Sequence, residues 1–230
     1  MAETTEQLME EIKDRLSSIE SSLPRQMDIL AVSPRSKLPF KALSYRETLI
    51  WRMTELSRTA YEAFASDRLA SAIILTRGAV ETVAALWYLR MKVSAAVKAG
   101  AVGDIDSYLM RLFGGNRIDK EMPQAINVLN FVDSVEKELE GFRHQYDILS
   151  EYAHPNWSGT TGLYSKIDRE NFCVDYGLNP RDLASPKHVG IINLSVALGL
   201  FQHTYNGLGD EYPAFVGLCE DALKPDEHLE

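Results

Sequence analysis

Apolar residues recur at intervals of three and four through most of this chain, which is the spacing of one face of an α-helix. The pattern starts in residues 4–22, where polar residues fill the positions between the apolar ones. Thr4 and Gln7 have the spacing of a capping box, so the sequence predicts an amphipathic helix that begins there. The apolar positions of this helix are Leu8, Ile12, Leu16, Ile19 and Leu23.

Prolines at positions 24, 34 and 39 then interrupt the helical pattern. Because proline disfavours helix interiors, residues 24–40 are predicted to be a linker. Residues 1–23 are therefore predicted to form an N-terminal helix or arm, and residues 41–223 a single helical-bundle domain. The polar residues 224–230 are predicted to be a frayed tail.

Helical spacing returns within the predicted domain and marks a central helix. One helix is predicted over residues 41–65, and Ser66 or Asp67 can cap a second that runs to Ala99. Apolar residues surround this second helix on all sides, which indicates that it lies buried in the middle of the bundle.

The longest regular seam of apolar residues covers 128–153. Gly141 within it is expected to kink or split the helix, and Pro155 is expected to end it. The seam positions alternate by four and three residues and are Val128, Val132, Val135, Leu139, Phe142, Tyr146, Leu149 and Ala153.

The periodicity changes to two in residues 160–177, which predicts a β-hairpin inserted between helices. Ser185-Pro186 then opens another helix, and a last helix over residues 211–222 is predicted to follow Gly207 and Gly209. The predicted fold is mostly α: a bundle of four to five long helices with an inserted β-hairpin near 160–177.

Charge is distributed unevenly along the 230 residues, whose net charge is −9. Residues 1–120 carry 17 basic and 15 acidic side chains, whereas residues 121–230 carry 7 and 18. The acidic balance disfavours general binding to nucleic acid, because phosphate backbones are repelled. Residues 34–120 carry 14 basic and 8 acidic side chains, so a local basic face within this range stays an alternative to an ordinary solvated helix surface.

A membrane location is not predicted. The apolar stretch of residues 70–89 carries Arg77 and Glu81 at its centre, and each charge costs about 2.5–3.5 kcal/mol in a bilayer. The N-terminus is acidic and lacks the apolar core of a secretory signal. Two cysteines, too few for a disulfide framework, agree with a reducing compartment, so the expected location is cytoplasmic.

Arg77 and Glu81 are the first candidate site residues, because they lie four apart on the predicted buried helix. Buried charges require partners. One interpretation is a structural ion pair; the other is a ligand pocket in which the arginine binds an anion.

A polar stripe at the end of the 128–153 seam is the second candidate. Its side chains fall within an arc of about 100° on a helix, and they are Arg143, Asp147, Ser150, Glu151 and His154. Asn156 and Trp157 follow directly. His154 either caps the helix end or acts as a general acid/base or a phosphate-binding imidazolium.

No cofactor or metal is predicted. Glu151 and His154 match one Glu-x-x-His unit of a di-iron bundle, but no second copy exists in the sequence. The chain also lacks a phosphate-binding loop, a dinucleotide fingerprint and a nucleophile elbow.

The run Arg77-Gly-Ala-Val-Glu81, followed by YDILSEYAHP at 146–155, resembles an uncharacterised group of bacterial helical proteins. That group is similar to the HEPN superfamily of toxin–antitoxin and phage-defence systems. The resemblance covers roughly residues 45–160. It implies a helical bundle, often a dimer, and in active members a metal-independent ribonuclease with an arginine and a histidine about four to six residues apart.

Arg143 and His154 have ten residues between them, which separates them by about 16 Å along one helix. Arg77 from the neighbouring helix, or a residue from a second subunit, would therefore have to replace Arg143.

The leading hypothesis is a HEPN-like protein that binds a ligand or a protein partner through one enclosed cluster. Its residues are Arg77, Glu81, Tyr146, Asp147, Glu151 and His154, with Asn156 and Trp157 beside them. The alternative is a ribonuclease in which His154 is the general acid/base and Arg77 stabilises the phosphate. A third hypothesis is a structural homo-oligomer assembled through helix 4–22 or the 128–153 seam.

Overall fold

The computed structural model describes residues 4–223 of the chain, and it confirms a mostly α-helical fold with one small antiparallel hairpin. The predicted tail at 224–230 lies outside the described residues. The elements in chain order are α1 (Thr5–Ser21), α2 (Ile29–Val32), α3 (Lys37–Ala65), α4 (Leu69–Ala99), α5 (Ile105–Phe113), α6 (Val128–Glu136), α7 (Phe142–Ala153), α8 (Thr161–Tyr164), β1 (Ser165–Asp168), β2 (Cys173–Tyr176) and α9 (Ala184–Asp221).

Helix α4 is the central helix, as predicted, and it packs against α3, α5, α6, α7 and α9. It ends at Gly100, which adopts the left-handed conformation with φ 62°. The predicted cap by Ser66 or Asp67 was wrong: Arg68 holds the N-cap position without a side-chain bond. By length and composition alone α4 could cross a membrane, but 61% of its most apolar window is buried inside the protein.

Helix α1 belongs to the packed body, so the prediction of a separate arm was wrong. Its apolar stripe is buried against α9 and α3 within the same hydrophobic core as α4. Arg15 also donates to Gln202 of α9 at 2.9 Å, and Arg58 of α3 pairs with Glu20 at 2.7 Å. The capping box of Thr4 and Gln7 is present as predicted.

The predicted linker is shorter than residues 24–40 and is partly helical. Asp28 caps the short helix α2, and Ser36 caps α3, which therefore begins at Lys37. Pro39 lies in the first turn of α3, where a helix tolerates proline because the first N–H groups have no partner within the helix.

Gly141 splits the 128–153 seam into α6 and α7, as its position suggested. It adopts a positive φ of 91° at the N-cap of α7. The Glu136 carboxylate accepts from the backbone N–H groups of Arg143 at 2.8 Å and Gly141 at 3.1 Å. These backbone bonds lower the pKa of Glu136 and hold the two helices at a fixed corner.

The predicted hairpin is present, with Ser165 opposite Tyr176 and Asp168 opposite Cys173. The Asp168 carboxylate accepts from the backbone N–H groups of Glu170 at 2.9 Å and Asn171 at 3.0 Å, which forms the turn. All four residues of β2 are exposed. The short helix α8 precedes the hairpin in the first part of the predicted 160–177 range.

The two predicted C-terminal helices are one continuous helix, α9, of 38 residues. Gly207 and Gly209, which were predicted to precede the last helix, are instead sites where arginines of other helices approach the backbone of α9. A Cβ at Gly207 would lie 2.5 Å from Cζ of Arg90, and a Cβ at Gly209 would lie 3.1 Å from Nη2 of Arg46. Glycine serves close packing here rather than helix termination.

Candidate functional site

Arg77 and Glu81 of α4 and Tyr146 of α7 form a hydrogen-bonded triad. Arg77 Nη2 donates to the Tyr146 hydroxyl at 2.6 Å, and this hydroxyl donates to Glu81 Oε1 at 3.0 Å. Arg77 Nη2 is also 3.1 Å from Glu81 Oε1. The triad therefore fixes α7 against α4 through a tyrosine that is 3% exposed.

The charges of this triad are only partly buried. The side chains of Arg77 and Glu81 are 29% and 24% exposed. Arg77 Nε is buried and has no hydrogen-bond partner among residues 4–223. Because Glu81 Oε1 receives both donors of the triad, Oε2 of the same carboxylate has no protein donor within the described range.

Glu81 also lines a cavity of about 310 Å³ between α3, α4 and α6. We call this space the Glu81 cavity. Its wall combines apolar residues with a few polar groups: Tyr45, Thr48, Leu49, Arg52, Glu81, Thr82, Ala85, Val128 and Phe131.

Arg52 brings a second charge to the Glu81 cavity. Its Nε donates to Thr82 Oγ1 at 3.2 Å, and Thr82 in turn donates to the Gly78 carbonyl at 2.7 Å. No carboxylate pairs with Arg52 in the part of the chain that the structure describes, and its two terminal nitrogens make no hydrogen bond there. The cavity is thus lined by an exposed guanidinium without a carboxylate partner among the described residues and by a carboxylate that Arg77 already binds.

Tyr45 adds a neutral phenol to the same cavity. Burial raises the pKa of Tyr45 to about 12, against the opposing effect of the Arg52 charge. The hydroxyl therefore stays protonated at neutral pH and can donate or accept a hydrogen bond.

Asp147 lies away from the triad and pairs with its own helix. Arg143 Nε donates to Asp147 Oδ1 at 3.1 Å, and Arg143 Nη1 donates to Asp133 of α6 at 2.6 Å. Asp147 is exposed. These ion pairs link α6 to α7 across the Gly141 corner and contribute no group to the Glu81 cavity.

Glu151 and Asn156 build the turn after α7. Asn156 Nδ2 donates to Glu151 Oε2 at 2.6 Å, and Asn156 Oδ1 accepts from the Gly159 N–H at 3.1 Å. A Cβ at Gly159 would lie 2.0 Å from the carbonyl oxygen of His154, so this turn requires glycine. Trp157 is 65% exposed, and Arg181 lies 5.7 Å from its ring.

His154 is the C-cap residue of α7, and its backbone N–H donates to the Ser150 carbonyl at 3.2 Å. Its side chain is exposed and makes no hydrogen bond or ion pair with the rest of residues 4–223. Eight residues after Tyr146, it lies about 12 Å further along the helix axis. The expected single pocket with Arg77 and His154 does not form; Arg77, Glu81 and Tyr146 come together and the other candidates do not.

Arg52 and Tyr45 were not among the predicted site residues. They lie seven positions apart on α3, with Leu49 between them, so all three share one helix face. That spacing is a signal in the sequence, but it resembles an ordinary amphipathic stripe. Arg52 differs from the other two residues by its charge, which has no carboxylate partner within residues 4–223 and lines the Glu81 cavity. That placement depends on the packing of α3 against α4.

Within residues 4–223, no group of three or more His, Cys, Asp or Glu side chains is arranged to hold a metal ion. Comparison of the chain with protein-family models, with curated proteins and with solved structures gives no match.

Proposed function

We propose that this chain is a HEPN-like helical protein that binds a small ligand in the Glu81 cavity. The observation that carries the proposal is the exposed guanidinium of Arg52, which has no carboxylate partner within residues 4–223 and lies in the same cavity wall as Glu81. The mostly α fold is compatible with the HEPN resemblance, which remains a proposal.

The ligand's chemistry follows from the two charged groups. The planar guanidinium of Arg52 is suited to a carboxylate or phosphate, which it binds through two parallel N–H donors. The free Oε2 of Glu81 is suited to an ammonium or another N–H donor. Leu49, Val128 and Phe131 supply an apolar wall between the polar groups. The ligand is therefore a small zwitterion with an apolar spacer.

Arg77 and Tyr146 act in this proposal as positioning residues. They occupy Oε1 of Glu81 and leave Oε2 for the ligand. The proposed site therefore differs from the Arg/Glu/His cluster that the sequence predicted. Arg52 and Glu81 bind the ligand, Arg77 and Tyr146 position Glu81, and His154 takes no part.

A thermal unfolding assay with defined probes tests the proposal. We expect 6-aminohexanoate to raise the melting temperature more than hexanoate or hexylamine, because only the zwitterion satisfies both charges. Arg52→Gln should abolish this increase. Arg117→Gln is the matched control, since Arg117 is an exposed arginine outside the cavity. Equal shifts with all three probes, or an unchanged response of Arg52→Gln, would contradict the proposal.

Incubation with RNA tests the ribonuclease alternative. Cleavage by the wild-type protein that is lost in a folded His154→Ala variant would favour the enzyme over the binding protein. The acidic residues of 121–230 and the separation of His154 from Arg77 support binding rather than cleavage.

A homo-oligomer, a protein partner and a cytoplasmic location remain predictions. Burial within one chain argues against assembly through helix 4–22, since its apolar residues Leu8, Ile12, Leu16 and Ile19 are already covered. Light scattering measures the mass directly.

A further inference from the structure

A larger concave surface lies on another side of α4, between the beginning of α7 and the first half of α9. Its volume is about 680 Å³, which is within the usual range of small-molecule sites. We call it the α7–α9 groove. Its lining includes Val80 of α4, Phe142 and Gln145 of α7, and Ile192, Asn193 and Val196 of α9.

Apolar side chains at the α7–α9 groove remain in contact with water. Val196 is 55% exposed, Leu139 is 40% exposed and Ile192 is 38% exposed. Single exposed apolar residues are ordinary, but these three line one concavity together with buried Val80. Covering them would be favourable by about 25 cal/mol per Å² of apolar surface.

A buried amide supplies the polar feature of the groove. Asn193 is 6% exposed, and its Nδ2 donates both to Gln145 Oε1 at 3.1 Å and to the Val189 carbonyl at 2.9 Å. These two bonds use both hydrogens of the amide. Asn193 Oδ1 accepts no hydrogen bond from any described residue. This oxygen is not fully enclosed, so water reaches it, and an O–H or N–H of a ligand can take the place of that water.

The charge of the lining limits the ligand. Among the described residues that line the groove, Glu140 is the one ionisable side chain. A carboxylate or phosphate would meet this negative charge with no cation opposite it, whereas a neutral molecule would not be repelled.

We propose that the α7–α9 groove binds a small, neutral, elongated apolar molecule whose single O–H or N–H donates to Asn193 Oδ1. The apolar body covers Val80, Ile192 and Val196, and the donor satisfies the amide oxygen at the wall. This site is separate from the Glu81 cavity and does not depend on the proposed function.

Fluorescence titration with 1-N-phenylnaphthylamine, a neutral apolar probe with one N–H, tests this proposal. We expect saturable binding to the full-length protein. Val196→Asp should weaken binding about tenfold or more, because it places a charge on the groove wall. Val174→Asp is the matched control, since Val174 is an exposed valine on the hairpin.

Competition defines the chemistry. We expect 1-decanol to displace the probe at a lower concentration than decanoate, which Glu140 repels, and than decyl methyl ether, which has no donor. Asn193→Leu should remove the preference for the alcohol over the ether while a folded protein still binds the probe. If Asn193→Leu unfolds the protein, the decanol, ether and decanoate series on the wild type still tests the donor and charge requirements.

Three results would overturn the proposal. Absence of saturable binding would show that the groove takes no such molecule. Equal weakening by Val174→Asp would place the probe on the hairpin. A lower mass of Val196→Asp in light scattering would show that the groove is covered by a second copy of the chain.

Discussion

Replacing Arg77 by alanine tests the contribution of the triad that joins α4 to α7. The substitution removes the donor to Tyr146 and the counter-charge of Glu81, which lies 3.1 Å from Arg77 Nη2. Glu81 keeps the Tyr146 hydroxyl as its remaining donor. Its side chain is 24% exposed, so water reaches part of the carboxylate that the arginine leaves behind.

The expected loss of stability lies between the limits for exposed and buried ion pairs. Exposed pairs contribute about 0–1 kcal/mol, whereas breaking a fully buried pair costs about 3–5 kcal/mol. With side chains 29% and 24% exposed and one hydrogen bond to a charged group lost, we expect a loss of about 2 kcal/mol. A domain of this size should then melt about 4–8 °C lower.

Urea denaturation followed by circular dichroism measures this loss. Tyr146→Phe should cost about 1 kcal/mol, because the ring remains and only the hydroxyl is removed. The double variant should lose less than the sum of the single variants, since the two residues share Glu81. A denaturation midpoint unchanged by Arg77→Ala, or strict additivity, would show that the triad does not couple the two helices.

Three further outcomes are expected. Glu220, whose pKa is lowered to about 2 chiefly by the Ser33 hydroxyl and neighbouring backbone N–H groups, should stabilise the protein fully above its ordinary pKa of 4.5. That stabilisation should fade as the pH falls from 4.5 towards 2. The melting temperatures of Glu220→Gln and the wild type should therefore converge over this pH range. A constant difference between them would contradict the assignment. Gly207→Ala should lower the melting temperature, because its Cβ would lie 2.5 Å from Cζ of Arg90 and moving this guanidinium would break its ion pair with Glu211. Gly217→Ala, at a helix position with open space, should instead stabilise by about 0.5–1 kcal/mol, and equal effects of both would refute the packing argument.

Periodicity predicted the helices well where burial alone decides the structure. The intervals of the 128–153 seam and of helix 4–22 gave the correct faces apart from Leu139, which is 40% exposed, because Val132, Leu149 and Ile12 must lie in the core. Gly141 marked a real corner for a local reason, its positive φ. These features depend on neighbours within a few turns, which a sequence displays directly.

The errors came from long-range packing. Glycine is common at helix ends, which is why Gly207 was predicted to be one. Its role is instead set by packing against Arg90, more than a hundred positions earlier. The arm assignment failed because the prolines of 24–40 do not reveal where α1 packs. The sequence correctly grouped Arg77, Glu81 and Tyr146. It also added His154 because this residue shares the polar stripe of α7, but His154 lies eight residues after Tyr146 and is too far from the triad along the helix axis.

The hairpin carries an exposed cysteine that can be labelled for spectroscopy. Cys173 is exposed on β2, whereas Cys219 is buried in α9 and burial raises the pKa of its thiol to about 11. A maleimide dye or nitroxide at pH 7 should therefore label the folded protein at Cys173 alone, without any prior mutagenesis. Distances from that label to tags placed elsewhere would then report on the hairpin as ligands are added.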